Sequence, residues 1–137
     1  MQEAKEPPSR RIVSGVYGIQ ILGMAQHDLD ALPYGVIKLD RRGVVMTFNA
    51  YEERASQKAR GEVVGKRFFH EVAPCTQVDG FYDRFLEGVA KRSLNTTFGF
   101  AFPLPQGDRH VLVTLFYQTA DESVWVVLRD TCAPVAG

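Results

Sequence analysis

Residues 34–52 read YGVIKLDRRGVVMTFNAYE. Val36, Ile37 and Leu39 lead into Arg41-Arg42-Gly43, and Val44, Val45, Met46 and Phe48 lead out of it. The glycine supplies the positive φ that a tight turn needs, so the stretch is a strand, a turn and a strand. Asn49 then precedes AYEERASQKARG, a run of good helix formers ending at Gly61, with Glu52 three places after the asparagine. That is a helix-start pattern, and it predicts a helix over 50–61.

Toward the C-terminus, FYDRFLEGVAKR (81–92) sets Phe81, Phe85, Leu86, Val89 and Ala90 on one stripe and predicts an amphipathic helix packed on a sheet. LNTTFGFAF (94–102), VLVTLFYQT (111–119) and VWVVLRD (124–130) are strands, separated by turns at PLPQGDR (103–109) and ADES (120–123). Two strands, a helical middle and three consecutive strands give an α+β domain, with helices packed on one antiparallel sheet. Toward the N-terminus the apolar positions of 12–32 recur irregularly between Gly15, Gly18 and Gly23. They predict short helices acting as a lid rather than a core element.

Composition removes several function classes. The chain has 137 residues, 45% apolar and 23% charged, with sixteen acids against sixteen bases. That is one ordinary globular domain, without the basic excess that a nucleic-acid partner requires. No run of about twenty apolar residues offers a membrane span, and the polar start MQEAKEPPSRR lacks the apolar core of a signal peptide. The expected location is the cytoplasm. His27, His70 and His110 have no ligand spacing, so no metal site is expected. Cys75 and Cys132 are too isolated for a disulfide framework or a zinc motif, and Cys132 is read as incidental. Taken alone, Cys75 is a small buried hydrophobe and Glu52 a capping residue.

The order and spacing of several stretches change that reading. YGVIKLDRRGVVMTFNAYE, then VVGKRFF (63–69), EVAPCT (71–76), FYDRFLEGVA, LNTTF and VWVVLR resemble the photoactive yellow proteins, bacterial blue-light sensors with the PAS fold. The likeness runs from about residue 29 to 129. It implies a central antiparallel five-stranded sheet flanked by helices, with an N-terminal helical lid. Residues 1–28 are then an N-terminal extension and lid, 29–130 the PAS photosensory domain, and 131–137 a tail.

The resemblance also implies a chemistry. Cys75 matches the residue that carries p-coumaric acid as a thioester, and Glu52 the carboxylic acid that hydrogen-bonds its phenolic oxygen. Ser56 stands where the family usually has a threonine, and Lys58 where an arginine usually covers the phenolic ring. Phe68, Val72, Ala73, Pro74, Thr76 and Phe102 match pocket or near-pocket positions. Phe48 stands where a tyrosine commonly donates a second hydrogen bond to the phenolate. Its loss predicts a phenolate held less firmly, with a mixed protonation state or a shifted absorption band. Light would isomerise the double bond, Glu52 would pass its proton to the phenolate, and the resulting buried charge would partly open the lid toward a downstream signalling protein. On this reading the protein is a monomer or weak dimer and turns over no external substrate. A PAS ligand- or protein-binding module that is not photoactive, and a thiol redox sensor, are the alternatives.

Overall fold

The structure, a computed structural model, describes residues 21–131. The five expected strands form in order. β1 (Gly35–Leu39) and β2 (Val45–Phe48) pair antiparallel. In the turn between them, Asp40 Oδ1 accepts from the N–H groups of Arg42 and Val44, and Gly43 sits at φ 84°. β3 (Asn95–Phe102), β4 (Arg109–Gln118) and β5 (Ser123–Asp130) form a meander, and β5 returns to pair with β1. The result is one antiparallel sheet in the order β2-β1-β5-β4-β3. This is the expected α+β arrangement.

Among the described residues, the α-helices are α1 (Gln26–Asp30), α2 (Ala50–Ser56), α3 (Arg60–Val63) and α4 (Tyr82–Lys91), none long and apolar enough to cross a membrane. The single helix expected over 50–61 is two short ones. Ser56 explains the break: its hydroxyl donates to the Glu52 carbonyl at 2.7 Å and accepts the Lys58 N–H at 3.3 Å, and Gln57 turns left-handed at φ 61°. A serine hydroxyl competing with the backbone ends a helix whose propensities would carry it further. α4 forms within a residue of expectation, but Leu86 is not on its buried stripe and is 48% exposed. The side facing the protein runs through Phe85 and Gly88, where an added Cβ would come within 2.7 Å of the Leu94 side chain.

Alternation along the strands divides the interior between two faces. Ile37, Leu39, Val113, Leu115, Val126 and Leu128 belong to the cluster that also holds Phe69, Phe81 and Phe85. Val36, Phe116, Trp125 and Val127 point the other way, and there they meet Ile21 and Leu29. The expected lid is therefore only partly in view. Residues 1–20, Ile19 among them, lie outside the described residues. Of the remainder, Leu22 is exposed, whereas Ile21 is fully buried, against the expectation that no part of this segment is core. It covers apolar surface that the sheet's second face would otherwise leave in water.

Candidate functional site

On the first face, a cavity of about 460 Å3 opens between α2, residues 68–75 and the connection from β3 to β4. Phe48, Phe68 and Phe102 give it aromatic walls, and Cys75 and Glu52 both line it. The backbone around Cys75 is shaped by its neighbours. A π-helical turn over Phe68–Val72 ends where Ala73, the residue before proline, leaves helical geometry at φ −138° and ψ 72°. Pro74–Thr76 then forms one 3-10 turn, in which the Thr76 hydroxyl donates to the Ala73 carbonyl at 2.6 Å. Thr76 is fully buried and holds the turn without lining the cavity. Burial pushes the Cys75 thiol above its ordinary pKa, with its own backbone N–H and the charge of Lys58 acting the other way. A thiol of that kind stays protonated at neutral pH, unlike the low-pKa sulfur of a redox sensor.

Glu52 sits in the first turn of α2. Asn49 caps that helix by accepting the Glu52 N–H at 3.1 Å, so half of the expected capping box forms. The other half does not. The Glu52 carboxylate is instead held by Arg109, whose two terminal nitrogens donate to Oε2 and Oε1 at 2.8 and 3.0 Å. Both side chains are buried, 4% and 8% exposed. Gly35 is what makes room: a Cβ there would stand 2.1 Å from Glu52 Oε1.

Arg109 was not legible as a site residue. The sequence assigns it to the turn at 103–109, but it is already the first residue of β4, opposite Phe102. From there its guanidinium passes 5.9 Å from the centre of the Phe102 ring and lines the cavity. The alternation of Val111, Val113 and Leu115, extended two residues back along the same strand, is the signal that places Arg109 on the face of the sheet that carries the cavity.

Arg109 also serves a second carboxylate, since its Nε donates to Asp130 Oδ1 at 2.7 Å while the Tyr51 hydroxyl donates to Asp130 Oδ2 at 2.5 Å. Burial works against the charge on Arg109, but its bonds to both carboxylates outweigh this and hold its pKa above the ordinary value. The two acids are driven apart. Burial raises Glu52 above the usual carboxylate range, despite the pull of Arg109. Burial also opposes ionisation of Asp130, but the bonds from Arg109 and Tyr51 keep it below that range. Two carboxyls with divergent acidities around one cation make Glu52 the member that can take up and release a proton.

The remaining expected residues fall into two groups. Phe48, Phe68 and Phe102 line the cavity with Val72, Ala73 and Pro74. Ser56 and Lys58 line it too, although the Ser56 hydroxyl is engaged with the helix end and Lys58 is exposed. Phe48 brings no hydroxyl, and it is 1% exposed.

The PAS fold family matches over residues 24–131. A photoactive yellow protein of Halochromatium salexigens is 37% identical over 109 residues, covering 80% of this chain and 87% of that protein. One of Rhodothalassium salexigens is 33% identical over 106 residues, covering 77% and 85%. Among solved structures, the photoactive yellow protein domain of the sensor histidine kinase Ppr from Rhodospirillum centenum superposes with a TM-score of 0.77. It is 34% identical and covers 80% of this chain and 96% of that domain.

Proposed function

Because the chain belongs to the photoactive yellow protein family of PAS-fold proteins, we propose that it is a blue-light photoreceptor with p-coumaric acid thioester-linked to Cys75. One observation carries this reading: a single aromatic-walled cavity is lined by both a cysteine sulfur and a buried carboxyl that burial makes a weaker acid than an ordinary glutamate. The cavity suits a small, flat acyl group with one polar end.

The Cys75 sulfur attacks the carbonyl of an activated ester of the acid. The new S–C bond forms as the bond to the activating group breaks, and the thiol proton ends on the departing group. The raised thiol pKa supports this need for an activated donor. When bound, the p-coumaroyl group supplies visible absorption and a light-driven isomerisation of its double bond. Glu52 holds or yields the proton it shares with the phenol, and Phe48, Phe68 and Phe102 exclude water around that exchange. In the ionised form of the phenol, Glu52 carries the proton and passes it on after illumination.

The change reaches the N-terminal segment through Asn49, one helical turn from Glu52. Its Nδ2 donates to the carbonyls of Leu29 and Tyr34 at 2.7 and 3.0 Å. Partial opening of the residues before Leu32 then exposes apolar surface to a downstream signalling protein.

Protein mixed with activated p-coumaric acid and freed of excess should gain the mass of one p-coumaroyl group. It should also gain a visible band that bleaches in blue light and recovers in darkness. Cys75→Ala should abolish both; a Cys75→Ala protein that still bleaches and recovers overturns the attachment. A non-covalent PAS module predicts no such mass gain in either protein. Phe48 adds a second expectation. With one hydroxyl donor missing, the dark protein should show two bands, for the protonated and ionised phenol. Phe48→Tyr should enrich the long-wavelength band at least about tenfold, the equivalent of one charge-assisted hydrogen bond. An unchanged ratio in acylated Phe48→Tyr protein would remove Phe48 from the account.

A further inference from the structure

Arg109 is a buried cation in the cavity wall whose hydrogen-bonding edges are occupied by two acids. On the inner side it forks onto both oxygens of Glu52, and on the outer side it bonds Asp130. We propose that Arg109 is a positioning residue that decides where the proton shared by Glu52 and the bound phenol resides, and that it biases this proton onto the phenol. The inference rests on the photoreceptor reading and deepens it.

The charge on Arg109 has two opposing effects. A guanidinium has five donors and no acceptor, so a bidentate fork fits a carboxylate and loses a bond when that group is protonated. This effect favours ionised Glu52 and a neutral phenol. The opposing effect is attraction between the cation and an ionised phenol. That attraction acts over a longer distance, because Glu52 occupies the fork. It is also largely cancelled, because the Asp130 carboxylate lies 2.7 Å from Arg109 Nε and the pair looks nearly neutral from afar. Contact therefore outweighs field.

The other polar groups near Glu52 leave this balance intact. Tyr51 directs its hydroxyl to Asp130, and Ser56 is spent on the helix backbone. Lys58 is exposed, on the cysteine side of the cavity. No hydroxyl from Phe48 competes for the phenol. Arg109 and Phe48 thus push the same way, toward a short-wavelength dark population.

The test uses Arg109→Gln in two states. In acylated protein at neutral pH, the ratio of long- to short-wavelength absorbance should rise at least about tenfold over wild type, the worth of one charge-assisted hydrogen bond. In protein without the acyl group, infrared spectra near neutral pH should gain a protonated-carboxyl band. That band should vanish in the Arg109→Gln, Glu52→Gln double variant. Arg109→Lys keeps the charge without the fork and should move both readouts the same way by less. If Arg109→Gln does not fold, Arg109→Lys alone decides the question.

A ratio that stays fixed or falls overturns the proposal, and so does a wild-type protein already wholly in the long-wavelength form. Failure of wild-type protein to acylate or to colour instead sinks the photoreceptor reading. The infrared comparison still judges the Arg109 claim on Glu52 in that case, and an unchanged carboxyl region overturns it.

Discussion

Replacing Asn49 by alanine is expected to lower the unfolding free energy by about 4 kcal/mol, a large share of the roughly 5–15 kcal/mol that holds a domain of this size. Asn49 is fully buried, and all four of its side-chain bonds are made. Oδ1 accepts the N–H groups of Val36 and Glu52, and Nδ2 donates to the carbonyls of Leu29 and Tyr34. Alanine takes away the acceptor that the Val36 and Glu52 N–H groups share, each unpaired N–H costing about 1–3 kcal/mol where water cannot reach, and it removes one donor from each of the Leu29 and Tyr34 carbonyls. The loss should appear as a lower midpoint in urea at unchanged slope.

Two further substitutions separate the roles. Asn49→Asp keeps the helix cap but turns an oxygen toward the Leu29 and Tyr34 carbonyls, so it should lose most of the same stability although aspartate is a good cap. Amide exchange near Leu29 should quicken in both variants. A drop below about 1 kcal/mol for Asn49→Ala would reduce the residue to an ordinary cap and cut the proposed link between Glu52 and the N-terminal segment.

The same residue shows how far the sequence could be read. Asn49 followed by Glu52 announces a helix start because capping is local and needs only the spacing. The strands were equally legible, since period-two alternation is set by which side faces the core and survives without tertiary knowledge. What the sequence hid was where side chains go when a stronger partner is available elsewhere. Glu52 has the position of a capping-box acid, yet a buried guanidinium 57 residues away outcompetes its own helix. The break at Ser56 has a local cause, a hydroxyl bonded to Glu52 and Lys58 that propensity alone does not register, whereas the exposure of Leu86 reflects which side of the helix the sheet covers. Cys75 and Phe48 became candidates through resemblance alone, because an isolated cysteine or phenylalanine carries no local signal of chemistry.

Gly35→Ala gives the second large effect, and its sign should depend on Glu52. Glycine in a strand interior ordinarily costs about 0.5–1 kcal/mol relative to alanine, so the substitution would usually help. The φ of Gly35 lies outside the left-handed region, so the backbone raises no objection. The obstacle is one side chain. An added Cβ stands 2.1 Å from Glu52 Oε1 and 3.1 Å from Glu52 Cδ, and the carboxylate cannot retreat while Arg109 holds both its oxygens. Displacing it breaks a buried ion pair, at about 3–5 kcal/mol. Gly35→Ala should therefore destabilise the wild-type protein by about 3 kcal/mol or more. With Glu52→Ala already present the clash is gone, Arg109 keeps Asp130, and the same substitution should be neutral or stabilising by up to about 1 kcal/mol. Urea denaturation of the four proteins in this cycle gives the coupling directly. Equal destabilisation by Gly35→Ala in both backgrounds would mean that Glu52 does not rest against the β1 backbone at Gly35, and the Arg109 fork would have to be drawn elsewhere.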